Sequence, residues 1–364
     1  MSLSKISNAG VSIWLDDLSR ERLVTGGRAR HLSDLISKSH VVGVTTNPAI
    51  FSSSISGSAL YREDIIRFRK AGLDTEEIIT QLTCSDVKNA CELFRKTYEM
   101  SEGVDGRVSI EVDPRFARDT ASTVKQARAL WNKVDMPNLL IKIPATKEGL
   151  PAIRQLIGEG ISVNVTIIFS VSRYKEVLES YISGLTDRAT SGLPTSGIHS
   201  VASFFVSRVD TEIDPQLKAL KSEAMLGKSA IANARLAYQH FSDIRNSPIW
   251  RELERNGAAL QRPLWASTGV KDPNYDPAMY VNELIAPHTV NTMPEATLEA
   301  ATASQTFKGN TITSNYFESE EILSNLGKVG IDIEKVADKL EEEGIDKFIK
   351  PWLSLISAVE KVGH

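Results

Sequence analysis

The sequence predicts an α/β protein that folds as a (β/α)8 (TIM) barrel with additional helices. The first observation is that eight short apolar runs recur along the 364 residues, each with the length of a buried strand. Segments with helical periodicity separate most of the runs, and strand followed by helix is the repeating unit of a parallel sheet. An open doubly wound sheet is the alternative, but neither GxGxxG nor GxxxxGK[ST] occurs, which disfavours it.

The candidate strands are apolar runs of five to seven residues, bounded by polar or turn-forming residues. In chain order they are VSIWLD (11–16), VVGVTT (41–46), VSIEVD (108–113), NLLIKI (138–143), VNVTIIF (163–169), VASFFVS (201–207), PLWAS (263–267) and HTVNTM (288–293).

The chain is longer than the typical barrel of about 250 residues, so extra helices are expected. Helical periodicity predicts insertions at about 58–100 and about 215–258, and a pair of amphipathic helices at about 331–361. Residues 186–200 are rich in Gly, Ser and Thr and are typical of a surface loop. No segment resembles an interdomain linker, so residues 1–364 are predicted to form a single domain.

Composition restricts the possible partners. The formal net charge is −4 and the sequence pI about 6.0, with no basic cluster that would predict nucleic acid as a partner. The sequence has neither a secretory signal pattern nor an apolar stretch near the roughly 20 residues of a membrane span, so a cytoplasmic protein with no membrane partner is expected. Cys84 and Cys91 are expected to be small core residues. Monomer and homodimer both stay open.

Side chains along a barrel strand alternate between the interior and the surrounding helices. This alternation directs Lys142 inward, together with Leu140, and Ile141 and Ile143 outward. Applied to the other strands, it assigns polar or ionisable side chains to the interior, mostly near the carboxyl ends, where barrel enzymes carry their sites. The first strand directs Trp14 and Asp16 inward, and the third directs Ser109 and Glu111 inward. The fifth strand directs Asn164 and Thr166 inward, and Val163, Val165 and Ile167 outward. The turn after the second strand adds Asn47.

A lysine in an apolar strand has a specific chemical use. Desolvation disfavours the ammonium form, and a neutral amine can attack a carbonyl to form a Schiff base. Carbon–carbon bond cleavage then needs a carboxylate to accept a hydroxyl proton, and imine formation needs a second acid/base group to expel water. Asp16 and Glu111 are the candidates. Taken singly, a strand-end lysine that reaches water would explain Lys142 equally well. A single buried acid is more often part of a structural ion pair or a helix cap than a catalyst.

A metal-dependent mechanism is the obvious rival for this chemistry. The six histidines are scattered without an HxxxH or comparable ligand spacing, so neither a metal site nor a cofactor is predicted.

Two motifs resemble those of transaldolases, in particular the longer bacterial form. GVTTNPAIF (43–51) matches the family's early T-x-N-P motif, and NLLIKIPATKEG (138–149) matches its Schiff-base lysine motif. The resemblance extends from about residue 11 to about residue 295. It implies transfer of a dihydroxyacetone unit from sedoheptulose 7-phosphate to glyceraldehyde 3-phosphate, giving erythrose 4-phosphate and fructose 6-phosphate, in the non-oxidative pentose phosphate pathway.

The resemblance also implies roles for individual residues. Lys142 would be the nucleophile and Asp16 the base at the C4 hydroxyl, while Glu111 and Thr166 would act through a water in forming the imine. Substrate hydroxyls would be held by Asn47 and Asn164, with Ser203 beside them.

The substrate phosphate is expected at Arg208, whose guanidinium offers paired donors, and at Ser267. The commoner family pattern has an arginine two residues after that serine, whereas this chain has Gly269. Lys271 is the candidate for the missing charge, and a solvated loop lysine is the alternative.

Two other functions are weighed against transfer. The related fructose 6-phosphate aldolases lack the third-strand glutamate and carry a tyrosine where this chain has Phe205. Because a phenylalanine cannot donate a proton, Glu111 and Phe205 together favour transfer to an aldehyde acceptor. The second alternative is a barrel that only binds sugar phosphates, which the presence of the lysine and both acids disfavours.

Overall fold

A closed eight-stranded parallel barrel forms the centre of the molecule, with strand order β1 to β8 and β8 paired to β1. This computed structural model describes residues 2–362. The predicted fold class is confirmed, and each candidate strand agrees with an observed one to within about two residues at either end. The strands are β1 Val11–Leu15, β2 Val41–Val44, β3 Arg107–Glu111, β4 Leu139–Pro144, β5 Val163–Ile168, β6 Ser200–Phe205, β7 Gln261–Ala266 and β8 Thr289–Met293.

Helices surround the barrel and occupy the predicted insertions. The α-helices of the described residues are α1 Ser2–Asn8, α2 Leu32–Lys38, α3 Pro48–Gly57, α4 Arg62–Lys70, α5 Thr75–Leu93, α6 Arg95–Met100, α7 Thr120–Val134, α8 Gly149–Glu159, α9 Val171–Thr190, α10 Ser207–Ala219, α11 Ser229–Arg245, α12 Pro248–Arg255, α13 Met279–Glu283, α14 Glu295–Ala303, α15 Tyr316–Lys328 and α16 Ile333–Glu360. Short 3-10 turns lie at Arg20–Arg22, Ala59–Tyr61, Pro114–Phe116 and Glu223–Met225.

Local sequence explains several helix starts. Pro48 stands in the first turn of α3, where its missing N–H is not needed, and the Asn47 side chain accepts a hydrogen bond from the Ile50 amide. At α5, Asp74 and Glu77 form a reciprocal capping box. The Asn47 cap fixes the point at which the chain leaves the barrel mouth after β2, and the Asp74 cap fixes the start of α5 after α4.

Two predicted segments differ from the structure. Helix α9 continues to Thr190, so the predicted loop at 186–200 is helical over its first residues. The predicted helix pair at about 331–361 is one continuous helix, α16, which contains Pro351. Proline removes one backbone donor, but buried side chains on both sides of it, among them Phe348 and Leu355, hold the helix together by packing.

The alternation predicted for the fifth strand stops at Thr166. The pairing register of β5 with β6 shifts between Val165 and Ile168. Ile167 has a left-handed φ of 55°, which is unusual for a β-branched residue. Ile167 was predicted to face outward with Val165. Instead it lies beside Gly344 of α16, because the irregular backbone turns it toward the barrel mouth.

Helix α16 crosses the carboxyl end of the barrel. It packs against α3 and α5 on one side and α10 on the other, and it contacts the end of β5. Since α3 follows β2 and α10 follows β6, these contacts lie on opposite sides of an eight-stranded barrel. Near its end, the carbonyls of Val359 and Val362 accept hydrogen bonds from Arg69 of α4.

A polar cluster fills the opposite, amino-terminal end of the barrel. Arg262 donates to Ser12 Oγ at 2.7 Å and to Asp105 Oδ1 at 3.1 Å, and Ser12 donates to Asp105 Oδ2 at 3.0 Å. The buried Arg262 guanidinium therefore has a carboxylate partner, as a buried ion requires. In residues 2–362, no helix has the length and apolar character needed to cross a bilayer.

Candidate active site

Lys142 lies near the centre of β4 and is only 4% exposed. Its Nζ is 3.1 Å from Glu111 Oε2, and it donates to the Thr46 carbonyl at 3.1 Å. The first contact follows from strand register, since Glu111 of β3 stands directly opposite Lys142. The amine therefore has a carboxylate partner within the barrel, which burial of a charge requires.

Asp16 follows β1 and accepts a hydrogen bond from Thr45 Oγ1 at 2.8 Å. The Thr45 oxygen is also 2.7 Å from Thr292 Oγ1, so a hydroxyl chain leads from β8 to the carboxylate. Burial raises the pKa of the Asp16 carboxyl, while Lys142 and the Thr45 hydroxyl oppose the rise. A carboxylate with a raised pKa is a better proton acceptor.

Glu111 and Thr166 flank the lysine from the neighbouring strands. Burial raises the pKa of the Glu111 carboxyl, and the nearby Lys142 opposes that shift. The Thr166 hydroxyl is buried and has no hydrogen-bond partner among the described residues. An unpaired buried hydroxyl costs free energy, so it is suited to hold a water or a substrate atom.

Three amide and hydroxyl side chains are held in fixed orientations. Ser203 donates to Asn164 Oδ1 at 2.7 Å, and Asn164 Nδ2 donates to Ser109 Oγ at 3.0 Å. Asn47 uses its amide oxygen to cap α3, which leaves the amide nitrogen available to a ligand. The helix cap thus orients a donor into the barrel mouth.

Cationic and hydroxyl groups lie together at the start of α10 and after β7. Arg208 stands in the first turn of α10, with its Nη1 buried and without a hydrogen-bond partner among the described residues. Burial lowers the pKa of the guanidinium, opposed by Asp16 and Glu343. Ser267, with a left-handed φ of 54°, places its Oγ 3.0 Å from Ser207 Oγ in the same first turn. An unpaired guanidinium at a helix N-terminus is a favourable anion site.

These groups enclose a cavity of about 200 Å³ at the carboxyl end of the barrel. It is lined by Asp16, Thr45, Asn47, Lys142, Thr166, Ser203, Phe205, Arg208, Ala266, Ser267, Gly269, Lys271, Thr292, Pro294 and Phe348. Two amines, one carboxylate and a guanidinium thus face a single small space.

Comparison with known proteins identifies a family. The sequence matches the family described as transaldolase/fructose-6-phosphate aldolase over residues 13–359. The chain belongs to this family.

Several relatives named transaldolase resemble the chain over nearly its whole length. The protein from Mycolicibacterium smegmatis is 52% identical over 362 residues, which is 99% of this chain and 96% of that protein. Those from Acidothermus cellulolyticus and Thermobifida fusca are 50% and 49% identical, and the alignments cover 99% and 98% of this chain and 96% and 97% of the relatives. The family resemblance predicted from the two motifs is confirmed.

Nine of the eleven residues predicted for the site line the cavity, including Lys271. Glu111 and Asn164 lie behind the lining, where Glu111 contacts Lys142 and Asn164 contacts Ser203. The structure therefore brings all eleven residues into one connected group, and their individual roles stay predictions.

Six lining residues were not predicted from the sequence. Thr45 and Thr292 carry the hydroxyl chain to Asp16, and the alternation of the eighth strand could have indicated Thr292. Ala266 ends β7, and Gly269 and Pro294 follow the ends of β7 and β8, so proximity in sequence to these strand ends is the available signal. Phe348 comes from α16, and no local pattern indicates that this helix reaches the mouth.

A larger cavity, about 620 Å³, lies at the outer surface between α11 and α15. It contains none of the predicted site residues. Size alone therefore does not identify the site, whereas convergent ionisable groups do.

Proposed function

We propose that this member of the family is a transaldolase, an enzyme that transfers a dihydroxyacetone unit between sugar phosphates through a Schiff base on Lys142. One observation carries the proposal. The Lys142 amine, 3.1 Å from Glu111, faces a cavity that also contains Asp16 and Arg208. Full-length relatives at about half identity bear the same name, which supports it.

The reaction begins with attack of the Lys142 amine on the C2 carbonyl of the ketose donor. The nitrogen loses a proton and the former carbonyl oxygen leaves as water, with Glu111 and the Thr166 hydroxyl exchanging protons through a bound water. The product is an iminium ion, which accepts electrons from the carbon chain. The buried Glu111 carboxyl suits this role, because its raised pKa lets it both donate and accept a proton.

Cleavage follows when Asp16 accepts the proton of the C4 hydroxyl. The C3–C4 bond breaks, its electron pair enters the iminium to give an enamine, and the aldehyde product leaves. The acceptor aldehyde then binds and the same steps run in reverse: the enamine carbon attacks the aldehyde, and Asp16 returns the proton to the new hydroxyl. Asn47, Asn164 and Ser203 hold the hydroxyls of the three-carbon unit during the exchange.

The phosphate binds at the Arg208 end of the cavity. The unpaired Nη1 of Arg208, the first turn of α10, Ser267 and Lys271 supply donors and positive charge there. Gly269 occupies the position where the commoner family pattern has an arginine, and Lys271 carries the replacement charge.

The family name also covers fructose 6-phosphate aldolases. Phe205 lines the cavity and packs on Phe169 with ring centroids 5.2 Å apart, so no tyrosine hydroxyl stands at this position to protonate the enamine. Transfer is therefore favoured over release of free dihydroxyacetone. A cytoplasmic location and a monomeric or homodimeric state stay predictions from the sequence.

Borohydride reduction in the presence of fructose 6-phosphate tests the proposal. We expect a three-carbon adduct on the peptide that contains Lys142, found by mass spectrometry, together with transfer activity in a coupled assay. Lys142→Ala should lack both, and Lys142→Arg is a control that keeps the positive charge without a nucleophile. An active enzyme whose Lys142 peptide stays unmodified would refute the Schiff-base mechanism. Sugar phosphate binding without turnover would favour the non-catalytic alternative.

A further inference from the structure

Phe348 is a part of the site that the proposed chemistry leaves unused. Among the described residues that line the cavity, it alone comes from beyond residue 294. Its ring centroid lies 5.5 Å from Lys142 Nζ, and the side chain is 5% exposed. An apolar ring therefore stands directly over the reactive amine.

The helix that carries Phe348 is close to both ends of the cavity. Gly344 is one turn earlier on α16, about 6 Å along the helix axis. A Cβ at position 344 would lie 3.5 Å from Ile167 Cγ2 and 3.7 Å from Arg208 Nη1. Both distances are ordinary van der Waals contacts, so α16 packs closely against the guanidinium at Gly344 while Phe348, on the same face, covers the amine.

Water competes with the acceptor aldehyde for the intermediate. After the first aldehyde leaves, the enamine on Lys142 can take a proton from water at its carbon to become an iminium ion. Water then adds to C2, the carbon–nitrogen bond breaks, and free dihydroxyacetone and the free amine result. Closing a site against water prevents this kind of side reaction.

We propose that Phe348 sets the division between transfer and hydrolysis by keeping water away from the intermediate on Lys142. This inference rests on the proposed function. The phenyl ring fills space that several waters would otherwise occupy, since one water needs about 30 Å³ of liquid volume. The ring also offers no lone pair that would orient a water toward C2. The effect requires apolar volume and does not require an aromatic face.

Two variants separate volume from aromaticity. Phe348→Ala opens the space, and Phe348→Leu keeps most of the apolar volume without the ring. The readout is a ratio: free dihydroxyacetone released from fructose 6-phosphate without acceptor, divided by transfer to erythrose 4-phosphate. We expect Phe348→Ala to raise this ratio by roughly tenfold or more. Phe348→Leu should stay within about threefold of the wild type.

Stability controls keep the test interpretable. Phe348→Val replaces the alanine variant if the latter does not fold, and it should give an intermediate ratio. The proposal would be overturned if Phe348→Ala, or Phe348→Val in its place, left the ratio unchanged. It would also be overturned if Phe348→Leu raised the ratio as much as that variant does. Failure of the proposed function looks different, because the wild type itself would then neither form the borohydride adduct nor transfer.

Discussion

Removal of the Thr45 hydroxyl should shift the pH dependence of the reaction. This hydroxyl donates to Asp16 Oδ1 at 2.8 Å, and its oxygen faces Thr292 Oγ1 at 2.7 Å. The hydrogen bond stabilises the carboxylate form, so it opposes the rise in the Asp16 pKa that burial causes. Thr45→Val keeps the branched shape and removes the donor.

The expected size follows from the energy of such a bond. A hydrogen bond to a charged group contributes about 1.5–3 kcal/mol. The pKa of Asp16 should therefore rise further in this variant. Since about 1.4 kcal/mol is a factor of ten in an equilibrium constant, the ionised fraction at a given acid pH should fall by roughly 10- to 100-fold. In the proposed mechanism Asp16 must be ionised to accept the C4 hydroxyl proton, so activity should be lost as pH falls through its pKa. The acid limb of the profile should therefore move to higher pH.

The assay is kcat/KM for fructose 6-phosphate and erythrose 4-phosphate across the acid limb, which reports the pKa values of the free enzyme. Well below both pKa values, Thr45→Val should be roughly 10- to 100-fold slower than the wild type. Thr292→Val is the matched control, since Thr45 keeps its donor and the limb should stay near that of the wild type. The reasoning would be refuted if the acid limb of Thr45→Val lay at the same pH as that of the wild type. It would also be refuted if the acid limbs of Thr45→Val and Thr292→Val shifted equally.

Two further predictions concern stability and phosphate binding. Burial raises the pKa of Asp210, which accepts hydrogen bonds from the Ala230 amide and the Tyr280 hydroxyl, from 3.8 to about 7. The folded protein therefore keeps this proton at pH values where the unfolded chain loses it, and the free energy of unfolding should fall by roughly 4 kcal/mol as pH rises from about 4 to about 7. Asp210→Asn imitates the protonated carboxyl, so its free energy of unfolding, measured by urea titration at several pH values, should depend less on pH than that of the wild type. An equal pH dependence in the two proteins would contradict this prediction. Lys271→Ala should raise KM for fructose 6-phosphate roughly tenfold, as loss of a charge-assisted contact implies, with a smaller change in kcat. An equal effect on unphosphorylated fructose would show that Lys271 does not bind the phosphate.

Much of the barrel could be predicted because its determinants are local. A strand repeats every two residues, so the position of Lys142 in an apolar run already indicates which way its side chain points. The same rule holds for Asn164 and Thr166 and fails one residue later, at Ile167, where the backbone is irregular. This shift in the pairing of β5 with β6 depends on how the neighbouring strands and α16 fit together, so the sequence pattern of one strand does not reveal it.

The rest of the site depends on contacts between distant segments. The periodicity of α16 indicates that one face is buried, but it does not say which surface that face covers. The position of Phe348 over Lys142 is therefore visible only in three dimensions. The chain through Thr292 to Asp16 likewise requires closure of the barrel between its last and first strands.

The position of Phe348 so late in the chain bears on how the enzyme is made. A ribosome synthesises the nucleophile, both acids and the guanidinium well before the residue that shelters them. Until α16 emerges and is fastened by Arg69, the nascent barrel exposes its amine to solvent and to cellular aldehydes. The amine is thus covered only after α16 has been made, and products that stop short of α16 would carry Lys142 without its shield.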